Sequence, residues 1–293
     1  MGWIEVRLTV PRDGVDAVEE ALHAAGAAAV TVAGADSEPN FSPGQVWASN
    51  GVTALFDAAS VPADLEQRLA MVLGTPVALE FAPLEGEDWA HAWKERFHAF
   101  PVGERLWVRP SWVDTPPPDG RVEVVLDPGM AFGTGQHETT RLCLEWLDAR
   151  IDPDEAPVIL DYGCGSGLLA VAALKLGASH VLAVDNDPLS LEATRANAAA
   201  NGVAQGVSVR AAADGLLGWP PFPRVVANIL SQTLVELGDL LTGATAPGGE
   251  IALSGILVGQ ADTVRAAYPG VRWTAEAQEG DWMRLDGVRA GDG

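Results

Sequence analysis

Along the first eighty residues the apolar positions switch between two periods. Ile4, Val6, Leu8 and Val10 alternate with Glu5, Arg7 and Thr9, the pattern of a half-buried strand, and Pro11 ends it. Val18, Ala21, Leu22 and Ala25 then recur at helical spacing over Val15 to Ala25, with Gly26 placed as the C-cap. Ala28 to Ala33 and Val52 to Phe56 read as strands on either side of a polar, Pro- and Gly-bearing stretch, Asp36 to Gly51. Pro62 to Leu73 reads as a second helix stopped by Gly74, and Val77 to Phe81 as a fourth strand. The order β-α-β-β-α-β predicts a small ferredoxin-like α+β domain.

From Glu85 the pattern changes. Trp89, Trp93 and Phe97 stand four apart and form one aromatic stripe, which predicts a helix connecting two domains; an ordinary helix packed on one core is the alternative. Arg105 to Arg109 is a short strand, followed by a Pro-rich loop at Pro116 to Gly120. Beyond it, strands at Val122 to Leu126, Val158 to Leu160, His180 to Val184, Val207 to Ala211, Arg224 to Ala227 and Glu250 to Ser254 are separated by helical stretches. The helices are Arg141 to Ala149, Leu168 to Leu176, Pro188 to Asn201, Gln232 to Leu241 and Gln260 to Ala267. This alternation predicts an α/β fold with a mostly parallel sheet covered on both faces. Val271 to Ala275 and Trp282 to Leu285, with no helix between them, would add an antiparallel edge. The expected organisation is a first domain over 1–83, a linker helix over 84–104 and a second domain over 105–293.

Composition narrows the partners. A chain of 293 residues is long enough for two modest domains with real cores. Its formal net charge of −22 argues against binding a phosphate backbone and leaves basic proteins as partners, with solubility alone as the plainer reading. Cys143 and Cys164 are the only cysteines, too few for a disulfide framework or a metal cluster, which fits a reducing cytoplasm. No export signal and no apolar stretch of membrane-spanning length is present in the sequence, so a soluble cytoplasmic protein is expected, without membrane contact.

The candidate chemistry centres on V-I-L-D-Y-G-C-G-S-G, residues 158 to 167. An apolar strand closes on Asp161 and on glycines at 163, 165 and 167, so the backbone turns sharply and approaches a ligand at the strand's carboxyl end. Leu168 stands where the dinucleotide fingerprint needs its third glycine, and no Gly-Lys-Ser/Thr of a P-loop follows. D-x-G-x-G-x-G instead resembles motif I of class I S-adenosylmethionine-dependent methyltransferases; a glycine-rich turn serving only packing is the alternative. Asp185 ends the next strand 22 residues beyond Gly163, near the distance at which such sites set an acid on ribose hydroxyls. Asp214, in A-A-A-D-G, stands where this class often keeps an acid near the adenine amine, or is a solvated turn residue. Asn228 closes V-V-A-N-I-L. Its neutral amide oxygen is suited to accept from a substrate amine without competing as a nucleophile, whereas the alternative is a cap for the helix near Gln232. Thr140 either contacts the cofactor's polar end or caps the helix after it. His137 and Glu138 are adjacent and do not face one ligand sphere, so no metal is assigned. Cys164 reads as a packing residue.

Taken in order, D-P-G-M-A-F-G-T-G-Q-H-E-T-T from Asp127 to Thr140, D-Y-G-C-G-S-G, V-D-N-D-P and A-N-I-L resemble the PrmA family of bacterial ribosomal protein methyltransferases over the whole chain. The W-K-E-R-F helix and E-R-L-W-V-R-P-S-W are similar to that family's interdomain region. The resemblance implies a Rossmann-like class I methyltransferase domain with a seven-stranded, mostly parallel sheet, preceded by a ferredoxin-like substrate-recognition domain. It implies S-adenosylmethionine as cofactor, with Thr140, Gly163, Asp185 and Asn228 matching the cofactor-binding positions; from the reading of the residues above, Gly165 and Asp214 are expected beside them and Asn228 is the expected catalytic residue. The implied substrate is ribosomal protein L11, methylated on lysine and N-terminal amines by a monomer that binds no nucleic acid directly. Gln136 occupies a variable position in the first of these motifs. The rival readings are a small-molecule N-methyltransferase and a non-catalytic ribosome assembly factor that only binds the cofactor.

Overall fold

A computed structural model describes residues 3–11, 14–27, 29–34, 49–58, 60–84, 98–126 and 137–291. The expected helix through Trp89, Trp93 and Phe97 and the loop residues 127–136 lie outside them. The chain divides into two compact units, Met1–Arg96 and Phe97–Gly293.

In the first unit, β1 (Trp3–Pro11), α1 (Val15–Ala24), β2 (Ala29–Gly34), β3 (Ser49–Asp57), α2 (Leu65–Leu73) and β4 (Glu80–Leu84) follow in the expected order. The sheet runs β2-β3-β1-β4 with every neighbour antiparallel, the split βαβ plan. Val6, Leu8 and Val10 of β1 and Val52, Ala54 and Phe56 of β3 bury one face against Val18 and Leu22 of α1 and Leu65 and Leu69 of α2. Three boundaries differ from the sequence reading, the first being β3, which starts at Ser49 instead of Val52 because Ser49–Gly51 pair with Thr9–Pro11. The fourth strand lies three residues later than Val77 to Phe81, because the segment pairing with Trp3–Arg7 is Glu80–Leu84, while Val77 enters the core ahead of the strand. Pro83 fits there because β4 is an edge. Helix α2 starts at Leu65, after a turn closed by Leu65 N–H donating to the Pro62 carbonyl.

The second unit opens with a three-stranded sheet: β5 (Phe100–Val102) antiparallel to β6 (Leu106–Arg109), and β6 parallel to β7 (Val122–Val125). Strand β5 falls within the stretch expected to be linker. Then come α3 (Glu138–Arg150), β8 (Val158–Tyr162), α4 (Leu168–Lys175), β9 (His180–Asp185), α5 (Pro188–Ala200), β10 (Val207–Ala211), β11 (Phe222–Asn228), α6 (Ser231–Glu236), α7 (Gly238–Ala244), β12 (Thr245–Leu257), α8 (Ala261–Ala266), β13 (Val271–Glu279) and β14 (Trp282–Arg289). The large sheet has seven strands in the order β10-β9-β8-β11-β12-β14-β13.

Successive residues of the central strands face opposite layers. Ile159, Val181 and Val226 pack with α3, α4 and α5, whereas Leu160, Leu182 and Val225 pack with α6, α7 and α8. Both faces are therefore buried, as the apolar runs require. The last two strands extend the β12 side of the sheet as an antiparallel pair, as expected, with β14 between β12 and β13 and β13 at the edge. The helix expected over Gln232 to Leu241 is two helices broken at Leu237, next to Gly238, where an added Cβ would stand 2.3 Å from the Ala267 carbonyl oxygen. Pro247-Gly248-Gly249, expected to be a turn, is an irregularity inside β12, where pairing with β11 jumps from Phe222–Thr245 to Arg224–Glu250.

Candidate active site

The sheet order sets the location of the site. From β8 the chain moves outward to β9 and β10, then returns to β11 on the other side of β8. Connections on the two sides leave the carboxyl ends of β8 and β11 in opposite directions, which opens a crevice there. Tyr162 pairs with Ala227. Gly163 and Asn228 are therefore neighbours at the two strand ends, 65 residues apart in sequence and side by side in the sheet.

The glycine loop fits this crevice because it lacks side chains. Gly163 has φ 81°, and a Cβ there would stand 2.1 Å from Ile229 Cγ2. Gly165 has φ 52°. Gly167 has φ 79°, and its Cβ would meet the Thr194 Cα at 2.8 Å, so this glycine serves the close approach of α5. The loop amides are already engaged: Gly163 and Cys164 N–H groups donate to the Val184 carbonyl at 2.7 and 3.0 Å, and Gly165 N–H donates to Asp185 Oδ2 at 2.8 Å. Amides committed in this way do not form a phosphate nest.

Four of the expected residues, Thr140, Gly163, Gly165 and Asn228, line one small cleft together with Cys164 and Leu169. Asn228 Nδ2 donates to Thr140 Oγ1 at 3.3 Å. Thr140 is in the first turn of α3 and almost fully buried. That turn is fixed by Ser254, the partner of Asn228 across β11 and β12, whose hydroxyl lies 3.3 Å from the Thr139 carbonyl. Both capping alternatives fail. Helix α3 is capped by His137, whose Nδ1 accepts from Thr139 N–H at 3.3 Å, and α6 begins after Leu230 with no side-chain cap. Burial holds the His137 imidazole below its usual 6.5, which suits that acceptor role, and its ring meets Trp282 edge-on at 5.1 Å.

Asp185 stands beside the cleft wall rather than in it. Its two oxygens accept from Gly165 N–H and, at 3.0 Å, from Asp187 N–H, and a carboxylate with about four lone-pair sites retains capacity for hydroxyls. Asp214 is not brought into the cleft: it is exposed in the short turn after β10, three residues past Ala211, the residue that pairs with Asp185. Asp187 caps α5, accepting from Leu189 N–H at 3.0 Å.

Asp161 belongs to the glycine-loop motif, yet sequence reasoning does not single it out as a site residue. It is fully buried near the end of β8, and among the described residues neither of its oxygens has a hydrogen-bond partner. Burial, reinforced by the Asp185 charge, raises its carboxyl to about 7, and the nearby Ala170 N–H pulls only weakly the other way. An unpartnered acid under a loop that cannot take phosphate fits a ligand whose polar end is cationic. The residues present therefore fit S-adenosylmethionine, which carries an ammonium and a sulfonium and no phosphate. Burial pushes the Cys143 thiol up to about 12 and raises Cys164 as well, so neither is a nucleophile. Among the described residues no cluster of His, Cys, Asp and Glu has the makings of a metal site.

The family model for ribosomal protein L11 methyltransferase (PrmA) matches residues 2–290. The chain belongs to this family. The ribosomal protein L11 methyltransferase of Alkalilimnicola ehrlichii is 44% identical over 304 residues, covering 99% of this chain and 100% of that protein. That of Azotobacter vinelandii is 42% identical over 296 residues, with 99% and 100% covered. Among solved structures, the ribosomal protein L11 methylase from Lactobacillus delbrueckii subsp. bulgaricus is 32% identical, with a TM-score of 0.60 over 66% of this chain and 100% of that one. Membership in the L11 methyltransferase family agrees with the class I methyltransferase sheet. No described helix is long and apolar enough to cross a membrane.

Proposed function

We propose that this chain transfers methyl groups from S-adenosylmethionine to ribosomal protein L11, at lysine side-chain amines and the N-terminal amine. The observation that carries this reading is the meeting of Gly163 and Asn228 at the strand switch point, with Thr140 bonded to Asn228 in the same cleft, in a chain of this family. When bound, the cofactor supplies an activated methyl group on a sulfonium. In our reading Asp185 accepts from the ribose hydroxyls, Gly163 and Gly165 let the methionine part lie against bare backbone, and Thr140 holds the polar end, while Asp214, exposed in its turn, takes no part.

Asn228 is the residue we assign to the acceptor amine. With Nδ2 committed to Thr140, the carbonyl oxygen Oδ1 is left to accept an amine N–H and so to orient the nitrogen lone pair. A lysine amine in water titrates near pH ~10.4, so desolvation has to favour its neutral form. A neutral amide suits that task, because a carboxylate at the same place would stabilise the charged ammonium.

The separate first unit is assigned to recognition of the protein substrate, with functional bounds at 1–83, 84–104 and 105–293. A net charge of −22 favours a basic protein over a nucleic acid. The working form in this reading is a cytoplasmic monomer. The full chain, incubated with methyl-labelled cofactor and a mixture of ribosomal proteins and small-molecule extract, is expected to label L11. Label confined to small molecules would favour the small-molecule enzyme, and cofactor binding with no transfer would favour a non-catalytic assembly factor.

A further inference from the structure

Helix α5 buries Thr194 and Asn197 on the face turned toward the rest of the unit, where apolar residues are the norm, and Asn201 is its C-cap. Thr194 is fully buried and Asn197 nearly so. Thr194 and Asn197 reach main chain of the glycine loop, and Asn201 reaches main chain of β7. Thr194 Oγ1 donates to the Gly165 carbonyl at 3.0 Å, and Asn197 Nδ2 donates to the Ser166 carbonyl at 2.8 Å. Asn201 takes both main-chain groups of Val125, accepting from its N–H at 2.8 Å and donating to its carbonyl at 2.6 Å.

The Thr194 contact has a further consequence. Gly165 is held from two sides, since its carbonyl accepts from Thr194 while its N–H donates to Asp185 Oδ2 at 2.8 Å. Gly165 has no side chain and sits at positive φ, so these two bonds hold the peptide planes on either side of its Cα and through them its φ and ψ. Asp187 N–H fixes the other oxygen of Asp185.

We infer that Thr194 is a positioning residue of the cofactor cleft, acting through Gly165 on the Asp185 carboxylate, with Asn197 and Asn201 extending the same brace to Ser166 and Val125. The inference rests on the reading of Asp185 as a cofactor ligand. It accounts for buried polar residues on α5 that the sheet packing does not require, and for Gly167, whose missing Cβ lets the Thr194 backbone approach.

The test measures the affinity of the full chain for S-adenosylhomocysteine by calorimetry, with the unfolding midpoint recorded alongside. Thr194→Val keeps the shape and removes the hydroxyl, Thr194→Ser restores it, and Asp185→Asn removes the charge. Thr194→Val is expected to weaken binding about tenfold, the scale of a lost buried hydrogen bond, and Thr194→Ser to recover most of it. The double variant Thr194→Val/Asp185→Asn is expected to bind about as Asp185→Asn alone, since both changes act on one carboxylate. Wild-type affinity in Thr194→Val would overturn the inference, as would fold-losses that simply multiply in the double variant. Should Thr194→Val not fold, loss of affinity in Asn201→Ala, whose side chain is half-buried, supports the brace and unchanged affinity overturns it. A wild-type chain that did not bind the ligand would instead remove the cofactor reading beneath it.

Discussion

The Nδ2 of Asn228 donates to Thr140 Oγ1 at 3.3 Å, joining the end of β11 to the first turn of α3 across 88 residues of sequence. This bond sets which end of the amide is presented to an acceptor. Asn228→Ala is expected to lower the methyl-transfer rate by about a hundredfold, as positioning of the acceptor is lost. Affinity for S-adenosylhomocysteine is expected to change by less than about threefold, because an acceptor contact does not hold the donor. Calorimetry beside single-turnover kinetics checks the split, and equal losses in both would move Asn228 into the cofactor's own shell.

Asp161 makes stability depend on pH in the sense opposite to an ordinary paired carboxylate. In the folded chain its carboxyl titrates at about 7, above the 3.8 of an aspartate in water, so the folded state holds a proton that the unfolded chain has lost. Stability from this group is complete below the unfolded value and is lost as pH rises through about 7. The gap corresponds to at most about 4 kcal/mol. Asp161→Asn is expected to gain stability relative to wild type between about pH 4 and about pH 8 in denaturant titrations of the cofactor-free chain. A difference that stays flat with pH would show that Asp161 is ionised when folded.

Two glycines at similar φ separate backbone strain from collision. Gly202 has φ 71° with nothing within 4 Å of an added Cβ, whereas Gly167 has φ 79° and faces the Thr194 backbone at 2.8 Å. Gly202→Ala is expected to cost about 1 kcal/mol and Gly167→Ala roughly 2–4 kcal/mol, read as shifts in the urea midpoint. Equal costs would mean that α5 yields easily.

The strands and helices of the large sheet were legible in the chain because their periods are long and their ends punctuated, as at Asp185 and Pro188. What failed were features set by distant neighbours. Nothing local to Val77 to Phe81 says that pairing with Trp3–Arg7 selects Glu80–Leu84. The helix break falls at Leu237, next to Gly238, whose lack of a side chain lets the distant Ala267 carbonyl approach. At the site, the spacing of Gly163, Gly165 and Asp185 along the chain reflects one strand-turn-helix-strand unit, in which the Gly165 N–H meets the Asp185 carboxylate. Asp161 was visible as a motif residue, but its lack of partners is a property of the folded interior. The stripe Thr194, Asn197, Asn201, spaced three and four apart, was a readable signal of a polar contact along one face of α5.

If the first unit recognises the protein substrate, a chain limited to residues 97–293 is expected to keep its affinity for S-adenosylhomocysteine and lose most transfer to intact L11, by about a hundredfold or more in kcat/KM. Comparable rates from the two chains on intact L11 would contradict the assignment of the first unit.

The central claim is tested most directly by incubating the full chain with purified L11 and S-adenosylmethionine and following L11 by mass spectrometry. The expected result is a rise in L11 mass in methyl-group steps, located on lysine and N-terminal amine nitrogens and nearly absent with Asn228→Ala. An L11 mass that stays unchanged, with a wild-type chain that demonstrably binds S-adenosylhomocysteine, would contradict it.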